Sequence, residues 1–479
     1  MNVLRSIVLA ATLWVTSVAS GQGMTLPDAE RVVLENGAVL IVSEKDDVPL
    51  VGIEVLIRGG AVRDQEGKSG TASLFAGMVE RGAGSRNAVE IAEAIESVGG
   101  RLSTAADLEG IRIRAEFLSR DLDLALGLVR DLVTAPALDA DELATLRERQ
   151  INLIRAAKDS DPGRLMSSYA AGFLYGEHPY GNPMTGSEDS LAGITHEDIL
   201  AYYANEVGGD RLIVSISGDV AAADVIERLT NDFGDFRQAG AALVELPAAR
   251  RDTTRRVLLI DKPGATQTYF WVGNVGVAVD YPNRAELDLA NTVFGGRFTS
   301  MLNTALRIES GLTYGARSIL TRGAATGSIG ISSYTRTDAT AQAIDLALNV
   351  LYRLRTEGID QDMLESARNY VLGSFPTRLE TARQLAAQFA MLELYGLDAG
   401  YVDNYGDAIG AVSVESLAPV IRDVYPADDG LVFVIIGDAA AIRETVARYG
   451  ALTEHSITDG SFRAPADASP STAEPVPHP

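Results

Sequence analysis

The chain has 479 residues, of which 46% are hydrophobic, and its formal net charge at pH 7 is −24. This length predicts about two to three domains, and the acidic charge argues against nucleic acid as a partner, because a phosphate backbone requires a basic surface. The sequence contains no cysteine, which excludes disulfides, thiolate metal sites and a cysteine nucleophile.

The first twenty residues have the pattern of a secretory signal peptide. Arg5 supplies the positive charge, residues 6–16 form an apolar run, and Val18-Ala19-Ser20 fits a cleavage site for small residues. The run is shorter than the ~20 apolar residues that span a bilayer. We therefore expect a soluble protein exported to the periplasm, with an uncleaved N-terminal anchor as the alternative. The Pro/Ala-rich segment 464–479 predicts a disordered tail.

The first half of the chain continues with strand and helix patterns. VVLENGAVLIVSE places Asn36-Gly37 between two apolar alternations, which predicts a β-hairpin. Apolar residues alternate again over 51–57 and 110–117, as expected for half-buried strands. GTASLFAGM (70–78) predicts a buried helix, and NAVEIAEAIESVGG (87–100) predicts an amphipathic helix that ends at a glycine pair.

The second half repeats the first. LDADELATLRER begins at Leu138 and IDQDMLESARNY begins at Ile359, 221 positions later. The pair Gly218-Asp219 in RLIVSISGD matches Gly437-Asp438 in GLVFVIIGD at a separation of 219. ITHEDILAYY and VSVESLAPVI correspond in the same order. A period of this length predicts duplicated domains and not a short-repeat solenoid.

These patterns predict the fold class and the domain boundaries. We expect an α+β protein of two duplicated domains, each an antiparallel-rich sheet with helices packed on one face, arranged as a clamshell. The N-terminal domain is placed at 30–236 and the C-terminal domain at 257–455. The linker between them, 237–256, carries Pro247.

Four phrases resemble the insulinase/pitrilysin family of zinc metallopeptidases, over about residues 30–450. They are GKSGTASLFAGMVERGAG, EHPYGNPMTG, FGGRFTSML and LRIESGLTYGARS. The first is similar to the family's helix with the motif His-x-x-Glu-His, whose histidines bind zinc and whose glutamate activates water. The resemblance places Ser73, Ala76 and Gly77 at these three positions. It places the third ligand near Ile154–Arg155, where no carboxylate occurs.

The histidines give no support to a zinc site in this chain. There are four, His178, His196, His455 and His478, and none lies three or four positions from another. We predict that His178 caps or packs the turn HPYG. A three-dimensional cluster of His178 and His196 with carboxylates is the alternative. The sequence therefore predicts no metal and no other cofactor bound by this chain, and no catalytic residue that acts in this chain alone.

The second half keeps a different pair of residues. The resemblance implies that Arg307 and Tyr314, in LRIESGLTYG, match an arginine and a tyrosine that the zinc-free half of the family's sites supplies. A guanidinium and a phenol can hydrogen-bond a peptide carbonyl that gains negative charge, and Gly311 and Gly315 would let the loop aim both side chains inward. The alternative is a surface arginine and a core tyrosine.

The resemblance therefore implies the zinc-free, substrate-orienting subunit of a heterodimeric periplasmic zinc metallopeptidase. The chain would be inactive alone, and zinc would be held by a homologous partner subunit that hydrolyses short unfolded peptides. The alternative function is an inactive scaffold or a peptide-binding homologue with no part in proteolysis. Since function depends on the site and not on the fold, the sequence leaves both open.

Overall fold

A computed structural model describes residues 25–463. The signal peptide at 1–20 and the tail at 464–479 lie outside the described residues. The strands are β1 Glu30–Val33, β2 Val39–Glu44, β3 Leu50–Arg58, β4 Gly82–Ala83, β5 Arg86–Asn87, β6 Arg101–Ala106, β7 Gly110–Leu118, β8 Leu212–Gly218, β9 Arg256–Asp261, β10 Gln267–Val275, β11 Ala316–Leu320, β12 Ser328–Arg336, β13 Val432–Gly437 and β14 Ala451–Ser456.

Helices account for most of the remaining chain. They are α1 Thr71–Val79, α2 Ala88–Glu96, α3 Leu122–Thr134, α4 Ala140–Ser160, α5 Met166–Tyr175, α6 Glu188–Gly193, α7 His196–Glu206, α8 Ala222–Phe233, α9 Arg284–Asn291, α10 Met301–Asn303, α11 Thr340–Thr356, α12 Gln361–Ser374, α13 Ala382–Leu394, α14 Gly400–Asp403, α15 Tyr405–Ala411, α16 Val414–Val424 and α17 Ala439–Val446. None of these helices is long and apolar enough to cross a membrane.

Two six-stranded sheets with the same strand order organise the chain. The first has the order β1-β2-β8-β3-β7-β6, and the second has the order β14-β9-β13-β10-β12-β11. Five strands of each sheet correspond in position. In sheet order they are β2, β8, β3, β7 and β6 in the first sheet and β9, β13, β10, β12 and β11 in the second. The α+β class with two sheet-plus-helix domains is confirmed, and the strand order agrees with the duplication that the sequence repeats predict.

The repeated phrases form equivalent elements in the two halves. The pair at Leu138 and Ile359 starts α4 and α12, whose first turns are capped by the side chains of Asp139 and Asp360. A capping carboxylate satisfies N–H groups that otherwise have no partner within the helix. The hairpin at Asn36-Gly37 joins β1 to β2, and Gly37 has φ of 93°, which favours glycine.

The outer strands of the two sheets come from different ends of the halves. β1 begins the first half and pairs antiparallel with β2, whereas β14 ends the second half and pairs parallel with β9. Both strands nevertheless occupy the same position in the sheet order. β1 and β14 are therefore the edge strands of their sheets on this side, although one comes from the start of its half and the other from the end.

One face of each sheet packs against helices of its own half. In the first half, Val55 and Ile57 of β3 lie in a core with Phe75 of α1 and Val129 of α3. In the second half, the sheet packs on α9, α11 and α16 in a separate core. This is the arrangement that alternating strands and amphipathic helices predict.

The opposite faces are covered by a reciprocal exchange of helices. α13, from the second half, lies on β3 and β8 of the first sheet, and α5, from the first half, lies on β10 and β13 of the second sheet. Leu385 and Phe389 of α13 are buried there, each stabilising the contact by about 1.5–3 kcal/mol. The sequence predicts helices on one face of each sheet only. In the structure the second face of each sheet is also buried, by a helix from the other half.

Segment 237–255 contains neither helix nor strand and joins the two sheets. The first sheet is built from residues within 30–218 and the second from residues within 256–456. Glu393 of α13 forms ion pairs with Arg31 and Arg58 of the first half, at 2.8 and 3.3 Å. The domain boundaries at 236 and 257 stay a prediction, and contacts of this kind tie the two halves together.

Candidate functional site

Helix α1 carries the three positions that the resemblance compares with a zinc-binding motif. The helix begins after Asp64, whose carboxylate accepts hydrogen bonds from the backbone N–H groups of Gly70 and Ala72 at 2.7 and 2.8 Å. Ala76 is buried, whereas Ser73 and Gly77 are half-buried. These hydrogen bonds stabilise the start of the helix. The side chains at the three positions, however, offer only a hydroxyl, a methyl group and a hydrogen atom.

Zinc does not fit these residues. A Cβ placed on Gly77 would lie 3.6 Å from a methyl group of Leu146, so α4 presents an apolar side chain to this position. Ile154, near the expected third ligand, is buried in the core, and Arg155 pairs with Glu188 at 2.6 Å. Catalytic zinc takes three nitrogen, oxygen or sulfur ligands from protein side chains, and neither α1 nor this part of α4 supplies a set.

The histidines of the described chain have backbone partners. His178 accepts from the N–H of Tyr180 through Nδ1 and contacts the carbonyl of Pro247 through Nε2, which confirms its predicted role in the turn. His196 contacts the carbonyl of Leu138. Within residues 25–463 no group of three or more histidine, aspartate and glutamate side chains could hold a metal ion, so the alternative cluster around His178 and His196 does not form there.

Arg307 and Tyr314 lie on either side of a tight turn. Arg307 belongs to a π-helical segment, Thr304–Glu309, and Tyr314 precedes β11. Gly311, between them, has φ of 65°, as a close turn requires. Tyr314 is 78% exposed, so the alternative of a core tyrosine is wrong. The guanidinium of Arg307 stacks on the ring of Phe298 at 4.8 Å.

Tyr314 lines a cavity of about 740 Å³. Phe298 and Tyr370 line the same cavity, and the first half of the chain contributes Asp161 and Arg164 from the turn after α4. The cavity therefore lies between the two halves of the chain. Its volume is within the range of ordinary ligand sites, which is about 300–1,000 Å³. Arg307 does not line the cavity itself but contacts Phe298, which does.

A second cavity, of about 580 Å³, continues the first. Arg164 and Arg317 line both cavities. The second extends between the back face of the second sheet, at Trp271 and Ser332, and α5 of the first half. It therefore lies where the exchanged helix α5 covers the second sheet.

The charge around the larger cavity is opposite to that of the whole chain. Its lining contains three arginines, Arg164, Arg297 and Arg317, and one carboxylate, Asp161. Arg297 donates to the carbonyl and hydroxyl oxygens of Ser366 at 2.9 Å. Within the described chain no carboxylate pairs with these arginines. Arginine donors without carboxylate partners favour a ligand rich in carbonyl or carboxylate oxygens.

Two family models match the sequence one after the other. The model described as insulinase (peptidase family M16) matches residues 40–187, and the model described as the peptidase M16 inactive domain matches residues 193–371. The chain is a homologue of peptidase family M16. The resemblance carried by the four sequence phrases is confirmed.

Relatives of this M16 homologue carry names of two kinds. A Bacillus subtilis protein named uncharacterized zinc protease YmxG is 23% identical over 406 residues, which are 85% of this chain and 98% of that protein. A Helicobacter pylori protein named non-peptidase homolog YmxG is 26% identical over 348 residues, which are 71% of this chain and 78% of that protein. The family thus includes relatives named as proteases and one named as a non-peptidase.

Solved structures share the fold of the M16 homologue. The peptidase M16 inactive domain from Pseudomonas fluorescens has a TM-score of 0.79 at 23% identity, and the match covers 86% of this chain and 98% of that one. A protease from Helicobacter pylori also has a TM-score of 0.79, at 20% identity, and the match covers 86% of this chain and 100% of that one. These likenesses establish the architecture.

Sequence reasoning missed Glu109, which joins four segments of the M16 homologue beside the smaller cavity. Its carboxylate accepts hydrogen bonds from the hydroxyl of Tyr180, from the hydroxyl of Tyr395 at 2.8 Å and from the N–H of Ala324 at 2.8 Å. Burial is the main cause that raises the pKa of both tyrosine hydroxyls, and the Glu109 carboxylate is the second cause. Both hydroxyls therefore stay protonated and act as donors. Because these partners are distant in the sequence, no local pattern could have indicated the cluster.

Phe298 was also missed as part of the site. It lies in the phrase FGGRFTSML, which carries part of the family resemblance. An exposed phenylalanine directly after an arginine in a glycine-rich segment was the one available signal, and Phe298 is 60% exposed. Only the folded chain places its ring against Arg307.

Proposed function

We propose that the chain is the zinc-free, substrate-orienting subunit of a heterodimeric zinc metallopeptidase of the periplasm. Zinc is held in the partner subunit, a homologue with the motif His-x-x-Glu-His, and the complex hydrolyses short unfolded peptides. This chain contributes Arg307 and Tyr314 to the shared site and is inactive alone.

The observation that carries the proposal is the exposure of Arg307 and Tyr314 beside the larger cavity. Tyr314 is 78% exposed and lies at the wall of the cavity, so its hydroxyl is open to a ligand or a partner subunit. Arg307 is positioned by Phe298, without a carboxylate partner in the described chain, and its N–H donors are free to bind an oxygen.

The chemistry available to the pair is hydrogen bonding and not proton transfer. The guanidinium and the phenol donate to the carbonyl oxygen of the bound peptide, which gains negative charge during hydrolysis. Removing one such donor typically lowers kcat about 10²–10³-fold. Arg164 and Arg317 line the route between the two cavities and hold other carbonyl or carboxylate groups of an extended peptide.

The residues of α1 support a division of labour between two chains. Ser73, Ala76 and Gly77 provide no metal ligand and no general base, so hydrolysis requires these groups from elsewhere. A partner with the complementary set completes the site. A scaffold or a peptide-binding homologue, the alternative function, has no need for an exposed arginine and tyrosine at a cavity between the two halves.

The experiment compares three samples on a library of quenched fluorescent peptides. They are the mature protein alone, a zinc-bearing homologue from the same organism alone, and both at equal concentration. We expect activity in the mixture only, with a loss of about 10²-fold or more in Arg307→Ala or Tyr314→Phe. Tyr352→Phe, an exposed tyrosine of α11, is the matched control and leaves activity unchanged. Mixing without complex formation and without gain in activity would refute the proposal.

A further inference from the structure

A third cavity, of about 400 Å³, lies within the second half of the chain. It is enclosed by α9, the ends of α12 and α13, and the segment from Tyr401 to Tyr405. It shares Gly296 and Tyr370 with the cavity at Tyr314, so the two are separated by one wall. Nothing in the proposed function uses this third cavity.

Three arginines line the third cavity and only one carboxylate offsets them. Arg284, Arg322 and Arg378 are the arginines, and Asp288 is the carboxylate. Asp288 is fully engaged, since one oxygen accepts from Arg322 at 2.6 Å and the other accepts from the hydroxyl of Tyr405 at 2.7 Å. In the described chain no carboxylate pairs with Arg284 or Arg378. The lining therefore carries an excess of two positive charges in a chain whose net charge is −24.

Arg284 is held in a fixed orientation. Its guanidinium lies 3.5 Å from the ring centre of Tyr401 and 4.3 Å from that of Tyr405. It also donates to the carbonyl of Tyr401 at 2.6 Å. Aromatic rings orient a guanidinium without neutralising its charge, so the remaining N–H groups stay available to an acceptor.

Two buried polar atoms at this cavity lack partners. Nε of Arg322 and Oδ1 of Asn291 are both inaccessible to solvent and make no hydrogen bond within the described chain. Both residues line the cavity. Only Nε of Arg322 is a donor, and an unpaired buried donor costs free energy that an acceptor oxygen would offset. Oδ1 of Asn291 is an acceptor, and an anion does not explain it.

We infer that the third cavity binds a small anion whose carboxylate or phosphate oxygens are recognised by Arg284, Arg322 and Arg378. Oriented guanidinium groups are suited to both kinds of oxyanion, because each presents parallel N–H donors. The inference is independent of the proposed function, since it involves neither Arg307 nor Tyr314 and does not require a partner subunit.

Calorimetric titration of the mature protein tests the inference with two probes, sodium pyrophosphate and sodium citrate, at matched ionic strength and with sodium chloride as the blank. We expect saturable one-to-one binding of at least one probe. The probe that binds identifies phosphate or carboxylate as the recognised group. Saturation by neither probe overturns the inference.

Four variants locate the binding. Arg378→Gln removes an exposed arginine and leaves folding intact, and Arg322→Lys keeps the charge but removes the forked donors. Each should weaken binding about tenfold. Arg353→Gln, at a surface ion pair of α11, and Arg317→Gln, at the other cavities, should leave binding unchanged. Equal weakening in Arg353→Gln, or a loss confined to Arg317→Gln, overturns the inference.

Discussion

The guanidinium of Arg307 lies 4.8 Å from the ring centre of Phe298, over the face of a phenylalanine that is itself 60% exposed. An exposed phenylalanine ring contributes little to the core. Its contact with Arg307 restricts an otherwise mobile side chain beside the cavity that Tyr314 lines. The pair thus connects the glycine-rich segment after α9 with the π-helical segment that carries Arg307.

Replacing Phe298 should affect activity and not stability. Phe298→Ala removes a cation–π contact worth about 0.5–1 kcal/mol at exposed sites, so kcat/KM of the mixed subunits should fall about two- to fivefold. Peptide hydrolysis by the mixture measures the change, and thermal unfolding of the variant should match that of the parent. Phe298→Tyr retains the ring and should retain activity. An equal loss in Phe298→Tyr would contradict a positioning role.

Gly52 of β3 lies directly against the backbone of the exchanged helix α13, which leaves no room for a side chain. A Cβ at Gly52 would lie 2.4 Å from the backbone of Arg383, and backbone cannot move aside cheaply. Gly52→Ala should therefore destabilise the protein by about 1–3 kcal/mol, as overpacking does. Urea unfolding measures the difference.

Gly127→Ala is the matched control for Gly52→Ala. Gly127 lies within α3, and nothing lies within 4 Å of its Cβ position. Alanine at a helix position of this kind should stabilise the protein by about 0.5–1 kcal/mol. Similar effects of the two substitutions would contradict the close packing of α13 on the first sheet.

Glu109 should stabilise the contact between the two halves. The buried carboxylate of Glu109 accepts hydrogen bonds from two tyrosine hydroxyls and one backbone N–H. In Glu109→Gln the NH₂ group of the glutamine would face one of these donors, and that hydrogen bond would be lost. We expect a loss of about 2 kcal/mol in the free energy of unfolding, measured by urea titration. Glu96→Gln, at an exposed position of α2, should change stability by less than about 0.5 kcal/mol. A neutral Glu109→Gln would show that the cluster is not stabilising.

Stability should fall as the pH rises through the range in which Asp64 ionises. Burial raises the pKa of Asp64 from its ordinary value of 3.8 to about 7, while hydrogen bonds from the N-terminus of α1 oppose the change. Between these values the folded state binds the proton and the unfolded state does not, so the free energy of unfolding decreases with pH by at most ~1.4 kcal/mol per unit. The contribution is complete below about pH 4 and is lost above about pH 7.

The difference in unfolding free energy between the parent and Asp64→Asn isolates this contribution. It should decrease between pH 4 and pH 7 and then level off, when both proteins are unfolded in urea at each pH. A difference that rises with pH would mean that the N–H groups of Gly70 and Ala72 keep the carboxylate ionised.

Much of the fold was accessible from the sequence because its signals are local. The hairpin at Asn36-Gly37, the alternation of β3 and β7, and the capped starts of α4 and α12 each depend on residues within one element. The duplication was equally accessible, since repeated phrases retain their spacing along the chain. The absence of metal-ligand side chains from α1 is a property of residue type and required no coordinates.

The exchange of α5 and α13 and the clusters around Glu109 and Arg284 were decided only by the tertiary structure. Each depends on contacts between residues far apart in the chain, and amphipathic patterns specify a buried face without specifying what covers it. The same holds for Arg307 and Tyr314. The sequence determined that Ser73, Ala76 and Gly77 offer no metal-ligand side chain. Packing decided that Tyr314 lies exposed at a cavity and that Arg307 lies over Phe298.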